Sequence, residues 1–308
     1  MNQPGLARMA NIYKRNPTKH PMTKQTYLQH EPVAAFVKWL AARLDSPVIS
    51  HSWRGRKSGK LFESGSIYDA YTKYKWGFSV DIDGVDHHGH SFAQSHDVLE
   101  IISAGLKQAI RTRNDGEAVK LCHAVLRWGG VIAHNGKWIE DNRQGLSIML
   151  SGGMALFSDG ASGAHHFIGL KRFNAGMTKV YSVVLEDFII YDSRVAAALG
   201  WLVAKFCRVE ALEVPDALRF PWMPAKEALG HETPKNRNPS CYRGEFPRMN
   251  NSPSRHALWN LRASWLLQAV LEEAGNSTRF NQVPPEAAPL RRLEAALFMI
   301  GYDLGDRT

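Results

Sequence analysis

Asn174-Ala-Gly-Met-Thr-Lys179-Val-Tyr-Ser-Val-Val-Leu-Glu-Asp-Phe-Ile-Ile-Tyr-Asp192-Ser-Arg-Val195 is the stretch on which the reading of this chain turns. A glycine-bearing turn, Phe173 to Met177, leads into a short apolar helix expected over 180–185, with Lys179 in its first turn. A second helix, expected over 193–206, follows directly on Asp192. Helix starts carry unpaired N–H groups and a partial positive charge, so both suit an anion such as a phosphate. A lysine at one start and an aspartate at the next can meet across a single pocket. An amine there can attack an electrophilic carbon, and a carboxylate can steady the developing positive charge or move a proton. The apolar neighbours Val180, Val183, Val184, Phe188, Ile189 and Ile190 would dehydrate the amine. Asp192 pulls the other way, and sequence does not weigh the two.

Working outward, Ser95 to Ile110 and Asp115 to Leu126 carry apolar residues at helical spacing, the second stopping at Gly129-Gly130. Val33 to Leu44, His256 to Ala274 and Pro289 to Ile300 do the same. Phe78, Val80 and Ile82 alternate towards Asp83-Gly84 as a strand and turn, and Asn135-Gly136 predicts a second hairpin over 131–139. Gly152 to Gly169 is rich in Gly and Ser, with Ser158 to Gly163 the expected loop; His165 and His166 follow it, either at the pocket mouth or as ordinary core or surface histidines. Met1 to His30, with Lys14, Arg15, Lys19 and Lys24, reads as an irregular basic arm. Ser50 to Lys60 sets Trp53 beside Arg54, Arg56, Lys57 and Lys60, the material of a phosphate-and-stacking contact or of a solvated loop. The fold class expected is mainly α with small β-hairpins. Its organisation is an arm and first helix over 1–48, a helical region with hairpins over 49–150, and a catalytic region over 151–308.

The phrases Thr178-Lys179-Val180-Tyr181-Ser182, Ile190-Tyr191-Asp192-Ser193-Arg194-Val195 and Ala296-Leu297-Phe298-Met299-Ile300-Gly301-Tyr302 resemble the helix-hairpin-helix DNA glycosylase superfamily. The likeness is to its bifunctional 8-oxoguanine branch, and within it to a small bacterial family of that fold. The turn lacks the superfamily's Leu-Pro-Gly-Val-Gly pattern, and Lys179 lies closer to Asp192 than is usual there. The resemblance implies a helix-hairpin-helix glycosylase-like fold and a DNA N-glycosylase that excises a modified purine through a lysine Schiff base, with strand cleavage as a second activity. It implies Lys179 and Asp192 as catalytic residues. Lys171, Arg172, Gly176, Met177, Thr178, Arg194 and Arg237 would contact nucleic acid, the last from the basic turn Lys235-Asn-Arg-Asn-Pro-Ser240. Tyr181, Tyr191, Trp259 and Phe298 would wall the base pocket, with Trp265 a further candidate. Relatives of that small family resemble accessory proteins of anti-phage operons that signal with cyclic oligonucleotides (the CBASS type), so other defence-operon proteins are expected partners beside double-stranded DNA. RNA, a nucleoside or a deazapurine-linked substrate is the alternative, as is a non-catalytic binding module.

Composition narrows the classes. Thirty-eight basic against 29 acidic residues give the 308-residue chain a net charge of +9, which favours a polyanionic partner. Three scattered cysteines, Cys122, Cys207 and Cys241, suit a reducing cytoplasm and cannot supply the four thiolates of an iron–sulfur cluster. No secretory signal is visible, and the longest apolar run, Val195 to Ala204, is too short to span a membrane. Asp81, Asp83, Asp86, His87, His88 and His90 look metal-like, yet a calcium loop fails because Asp86 and Phe92 stand where Gly and Glu are needed. No metal or other cofactor is expected.

Overall fold

The computed structural model describes residues 22–55, 59–158, 161–226, 235–241, 243–282 and 288–305, and within them the chain is mainly helical. The order is β1 (Met22–Thr23), α1 (Lys24–Gln29), α2 (Glu31–Ala41), β2 (His51–Arg54), β3 (Leu61–Ser64), α3 (Ile67–Thr72), β4 (Phe78–Ile82) and β5 (Val85–Gly89). Then come α4 (Phe92–Thr112), α5 (Asp115–Trp128), α6 (Ile132–Asp141), α7 (Leu146–Ser158), β6 (Ala161–Ser162), α8 (Met177–Val184), α9 (Ser193–Val209), α10 (Pro253–Ala274) and α11 (Pro289–Ile300). The strands form three antiparallel pairs, β1·β6, β2·β3 and β4·β5. Among the described residues no helix is long and apolar enough to cross a membrane.

Caps set most helix starts. Ser66, Asn114, Asp192 and Ser252 each accept a backbone N–H from the first turn of α3, α5, α9 and α10, a contact worth about 1 kcal/mol apiece. For α4 the cap is Ser91, in a reciprocal capping box with Gln94, so the helix begins a turn before Ser95. That leaves Ser95 buried inside α4.

Three further expectations are corrected. Residues 131–139 form no hairpin, because Asn135 and Gly136 lie inside α6. A Cβ on Gly136 would stand 2.9 Å from Ile132 and 3.3 Å from the His123 ring, so this glycine lets α6 close onto α5. Asn135 faces the turn before α8, accepting from Arg172 Nε and Asn174 Nδ2 at 3.0 Å each. Ahead of the expected loop, Gly152 and Gly153 lie inside α7, with Leu146, Leu150 and Phe157 buried. Lys24 does not belong to an irregular arm: Thr23 and Thr26 cap α1, and Lys24 donates to Gln268 at 2.7 Å. Lys14, Arg15 and Lys19 lie outside the described residues. The 50–60 stretch is the end of a hairpin, in which Trp53 stacks on Phe62 at 4.7 Å and donates to the Met299 carbonyl at 2.9 Å, so its ring is used in packing. Arg56 and Lys57 are outside the described residues.

The hairpin at Asp83-Gly84 is present, both residues holding positive φ (52° and 82°). One hydrophobic core runs from Tyr27 and Phe36 through Leu106 and Val125 to Leu266 and Leu297. The described residues of the stretches 1–48, 49–150 and 151–308 therefore share one interior. Fully burying each leucine or phenylalanine in it contributes roughly 1.5–3 kcal/mol.

Candidate active site

α8 is buried at every position from Met177 to Val184, so a lysine on it has no surface to reach. Lys179 is 5% exposed. Its amine donates to the Ala175 carbonyl at 3.1 Å and to Asp192 Oδ2 at 3.2 Å. The other carboxylate oxygen, Oδ1, accepts the amides of Arg194 at 2.9 Å and Val195 at 3.2 Å. One carboxylate thus caps α9 and holds the lysine, which fixes its orientation.

The extended segment ahead of Asp192 is pinned through its backbone. Ile189 N–H donates to Ser264 Oγ at 3.1 Å, and Asn260 Nδ2 donates to the Ile189 carbonyl at 2.8 Å. His256 Nε2 donates to the Tyr191 carbonyl at 2.9 Å, and Ile190 N–H donates to Glu294 Oε2 at 2.8 Å. His256, Asn260 and Ser264 recur every four residues and form a buried polar stripe on α10. Sequence reading missed this stripe, because polar residues at helical spacing resemble a solvated face. Its signal is that Leu258, Leu261, Trp265 and Leu266 bury the helix all round, which leaves no such face.

Lys179 and Asp192 line one pocket of about 50 Å³, on a scale where a single water needs roughly 10–15 Å³. Its walls are Tyr74, Trp76, Phe92, Trp128 and Phe298, with His96, Arg291 and Glu294 among the polar groups. Trp76 stands edge-on to Phe298 at 5.4 Å and donates to the Trp128 carbonyl at 2.7 Å. Most of this wall comes from residues 74–129, outside the stretch expected to supply it. The aromatic run Tyr68, Tyr71, Tyr74 and Trp76, which continues past the end of α3, was its sequence signal.

Of the four residues expected to wall a base pocket, Phe298 alone lines this one. Tyr181 is core, with Phe157 and Phe173 at 5.5 and 5.4 Å. Tyr191 is fully buried and donates to the Pro221 carbonyl at 2.8 Å. Trp259 packs on Phe220 at 5.3 Å, and Trp265 on Tyr27 at 6.3 Å. His165 and His166 are not at the pocket; His166 contacts the Leu156 carbonyl.

The expected phosphate donors around α8 are taken internally. The amides of Gly176 and Met177 donate to Asn174 Oδ1 at 2.8 and 3.0 Å. Thr178 is fully buried, where its hydroxyl meets Asn260 Oδ1 and accepts from Tyr191 N–H at 3.0 Å. The element before this turn is a short 3-10 helix, Ala164–Phe167, and not an α-helix. Arg172 reaches Asn135 and the His134 carbonyl, and Lys171 is exposed. At α9 the cations are close to the site: Arg237 donates to Ser193 Oγ. The Arg194 guanidinium lies over Phe298 at 4.1 Å, Tyr302 at 4.9 Å and Trp76 at 5.6 Å.

Burial acts on Asp192, Arg194, His256 and Glu294. On Asp192 it opposes ionisation, but Lys179, Arg194, the Val195 amide and Arg237 outweigh it and hold the carboxyl below the usual range. Burial brings Arg194 down to about 10 against the pull of Asp192, and His256 down to about 4 against its bond to Tyr191. It raises Glu294, partly offset by Arg291, whose Nη1 donates to Glu294 Oε2 at 2.6 Å. The Asp81 to His90 run lies along β4 and β5, where alternation puts His87 and His88 on opposite faces. Among the described residues no three His, Cys, Asp or Glu side chains are grouped to hold a metal. No protein-family model, curated protein or solved structure matches the chain.

Proposed function

We propose that this chain is a DNA N-glycosylase with associated lyase activity at abasic sites, acting on a modified purine such as 8-oxoguanine, with Lys179 as nucleophile and Asp192 as its carboxylate partner. The observation that carries the reading is a buried amine 3.2 Å from a buried carboxylate on the wall of an aromatic pocket. Asp192 first takes a proton from the Lys179 ammonium, and the freed amine attacks the sugar carbon as the bond to the base breaks. The base leaves with that bond's electron pair and takes up the second proton, which the nitrogen of the new C–N bond sheds. The aromatic walls, Phe298 and Trp76 above all, offer stacking faces to an extruded base. Arg194 and Arg237 at the start of α9, with the net charge of +9, suit the flanking phosphates. A part in anti-phage defence alongside other operon proteins belongs to the same proposal.

Release of free base from a duplex oligonucleotide carrying one 8-oxoguanine tests this, with Lys179→Gln as the inactive comparison. A specific observation favours a second reading, in which the pocket serves RNA, a free nucleoside or a deazapurine conjugate: the turn before α8 has its amides capped from within by Asn174. Cleavage of modified nucleosides with none of duplex DNA selects that reading. Unimpaired nucleic-acid binding with neither activity selects a non-catalytic module.

A further inference from the structure

Two adjacent glycines end α5, and they are glycines for different reasons. Gly130 has φ +65°, a conformation that side chains strain to adopt. Gly129 has φ −80° and ψ −3°, which any residue holds without strain, so the backbone does not ask for glycine. What excludes a side chain at Gly129 is Lys179. A Cβ there would stand 2.3 Å from Lys179 Cδ and 2.7 Å from Cε, while the nearest backbone atom, the Val125 carbonyl oxygen, is an ordinary 3.4 Å away.

We infer that Gly129 is a positioning residue for the Lys179 amine: its missing side chain is the slot along which the lysine stem crosses the end of α5 to reach Asp192. The atoms a methyl would meet belong to the far end of a flexible side chain. An alanine at 129 is therefore accommodated by moving the lysine and not by unfolding α5. The stem cannot keep its path past that methyl, so the amine leaves the position where it touches both the Ala175 carbonyl and Asp192. A displacement of about 1 Å at a reacting group lowers rate by about 100-fold. The inference deepens the lysine reading and rests on it for its catalytic consequence, whereas the steric relation stands by itself.

Gly129→Ala, Lys179→Ala and the double variant test it in the full chain. Melting temperatures report the steric relation without reference to activity. The penalty of Gly129→Ala is expected in the Lys179 background and expected to vanish when residue 179 is alanine, a non-additivity characteristic of side chains in contact. Reductive methylation with formaldehyde, read on the Lys179 peptide by mass spectrometry, is expected to run severalfold faster in Gly129→Ala. Borohydride adducts with an abasic-site oligonucleotide are expected to fall about 100-fold. An equal thermal penalty in both backgrounds, or unchanged labelling, overturns the inference. Non-additivity and altered labelling in a protein whose wild type forms no adduct would uphold Gly129 as the slot and reject the glycosylase reading.

Discussion

The starts of α8 and α9 look alike in sequence, each led by an Asn or Asp, yet they are put to opposite uses. At α8, Asn174 takes the Gly176 and Met177 amides, Thr178 is sealed against Asn260, and the turn is closed to an outside anion. At α9, Asp192 caps the helix with one oxygen and offers the other to Lys179 at the pocket wall, with Arg194 and Arg237 beside it. A helix N-terminus is a site only when its own cap leaves it one. Here the turn expected to grip DNA has become scaffold, and the second helix start carries the charge.

Substitutions at the two starts sharpen that contrast, and the largest effect is expected at Asp192. Asp192→Asn keeps an oxygen for the Arg194 and Val195 amides but loses the charge facing Lys179. Base release is expected to fall by roughly 10²–10⁴-fold while the cap on α9 survives, measured by single-turnover kinetics and helical circular dichroism. An activity near wild type would separate the carboxylate from the chemistry.

Next comes acid stability. The His256 ring titrates near 6.5 in an unfolded chain and near 4 in the fold. Between those values the unfolded state binds the proton and the folded state does not. The stability from the neutral ring is therefore whole above pH 6.5 and is lost as pH falls to about 4, about 3 kcal/mol in all. Asp192, with its carboxyl held low, adds a loss in the same direction on further acidification. Urea midpoints across pH 4 to 7 should flatten in His256→Gln; an unchanged slope would place the titration elsewhere.

At α8, Asn174→Ala is expected to lower stability by about 1 kcal/mol and leave the salt dependence of DNA binding unaltered, since the amides it caps face inward. A shallower salt slope would mean that the turn does hold phosphate. Smallest of all, Asp86→Ala or His88→Ala on the exposed hairpin should stay within about 0.5 kcal/mol of wild type.

What the sequence disclosed follows from how local each determinant is. Helices α2, α4, α5, α10 and α11 were legible because their apolar residues repeat at helical spacing, and α8 and α9 because apolar stretches follow a glycine-bearing turn and Asp192. The Asp83-Gly84 turn was legible because its chemistry lies in two adjacent residues. Asn135-Gly136 misled for the same reason: a turn signal is local, and the packing of Gly136 on His123 that overrides it is not. Gly153, by contrast, is helical for a reason that is not local: it makes room for Tyr181, whose hydroxyl a Cβ there would meet. Within the site, Lys179 and Asp192 stood out through the resemblance of the phrases that hold them, since a lysine and an aspartate at two helix starts are common by themselves. Trp76, Phe92 and Trp128 did not, because only tertiary packing brings residues 74–129 against α11. Gly129 read as a plain helix stop, and its contact with a lysine fifty positions onward has no local trace.

The central claim is that the buried amine at 179 is a nucleophile. Its most direct test is to incubate the protein with duplex DNA holding 8-oxoguanine or an abasic site, reduce with borohydride, and map the cross-linked peptide. A DNA adduct on Lys179 that disappears in Lys179→Gln is the predicted result. No adduct, or one on another amine that survives the substitution, would contradict it.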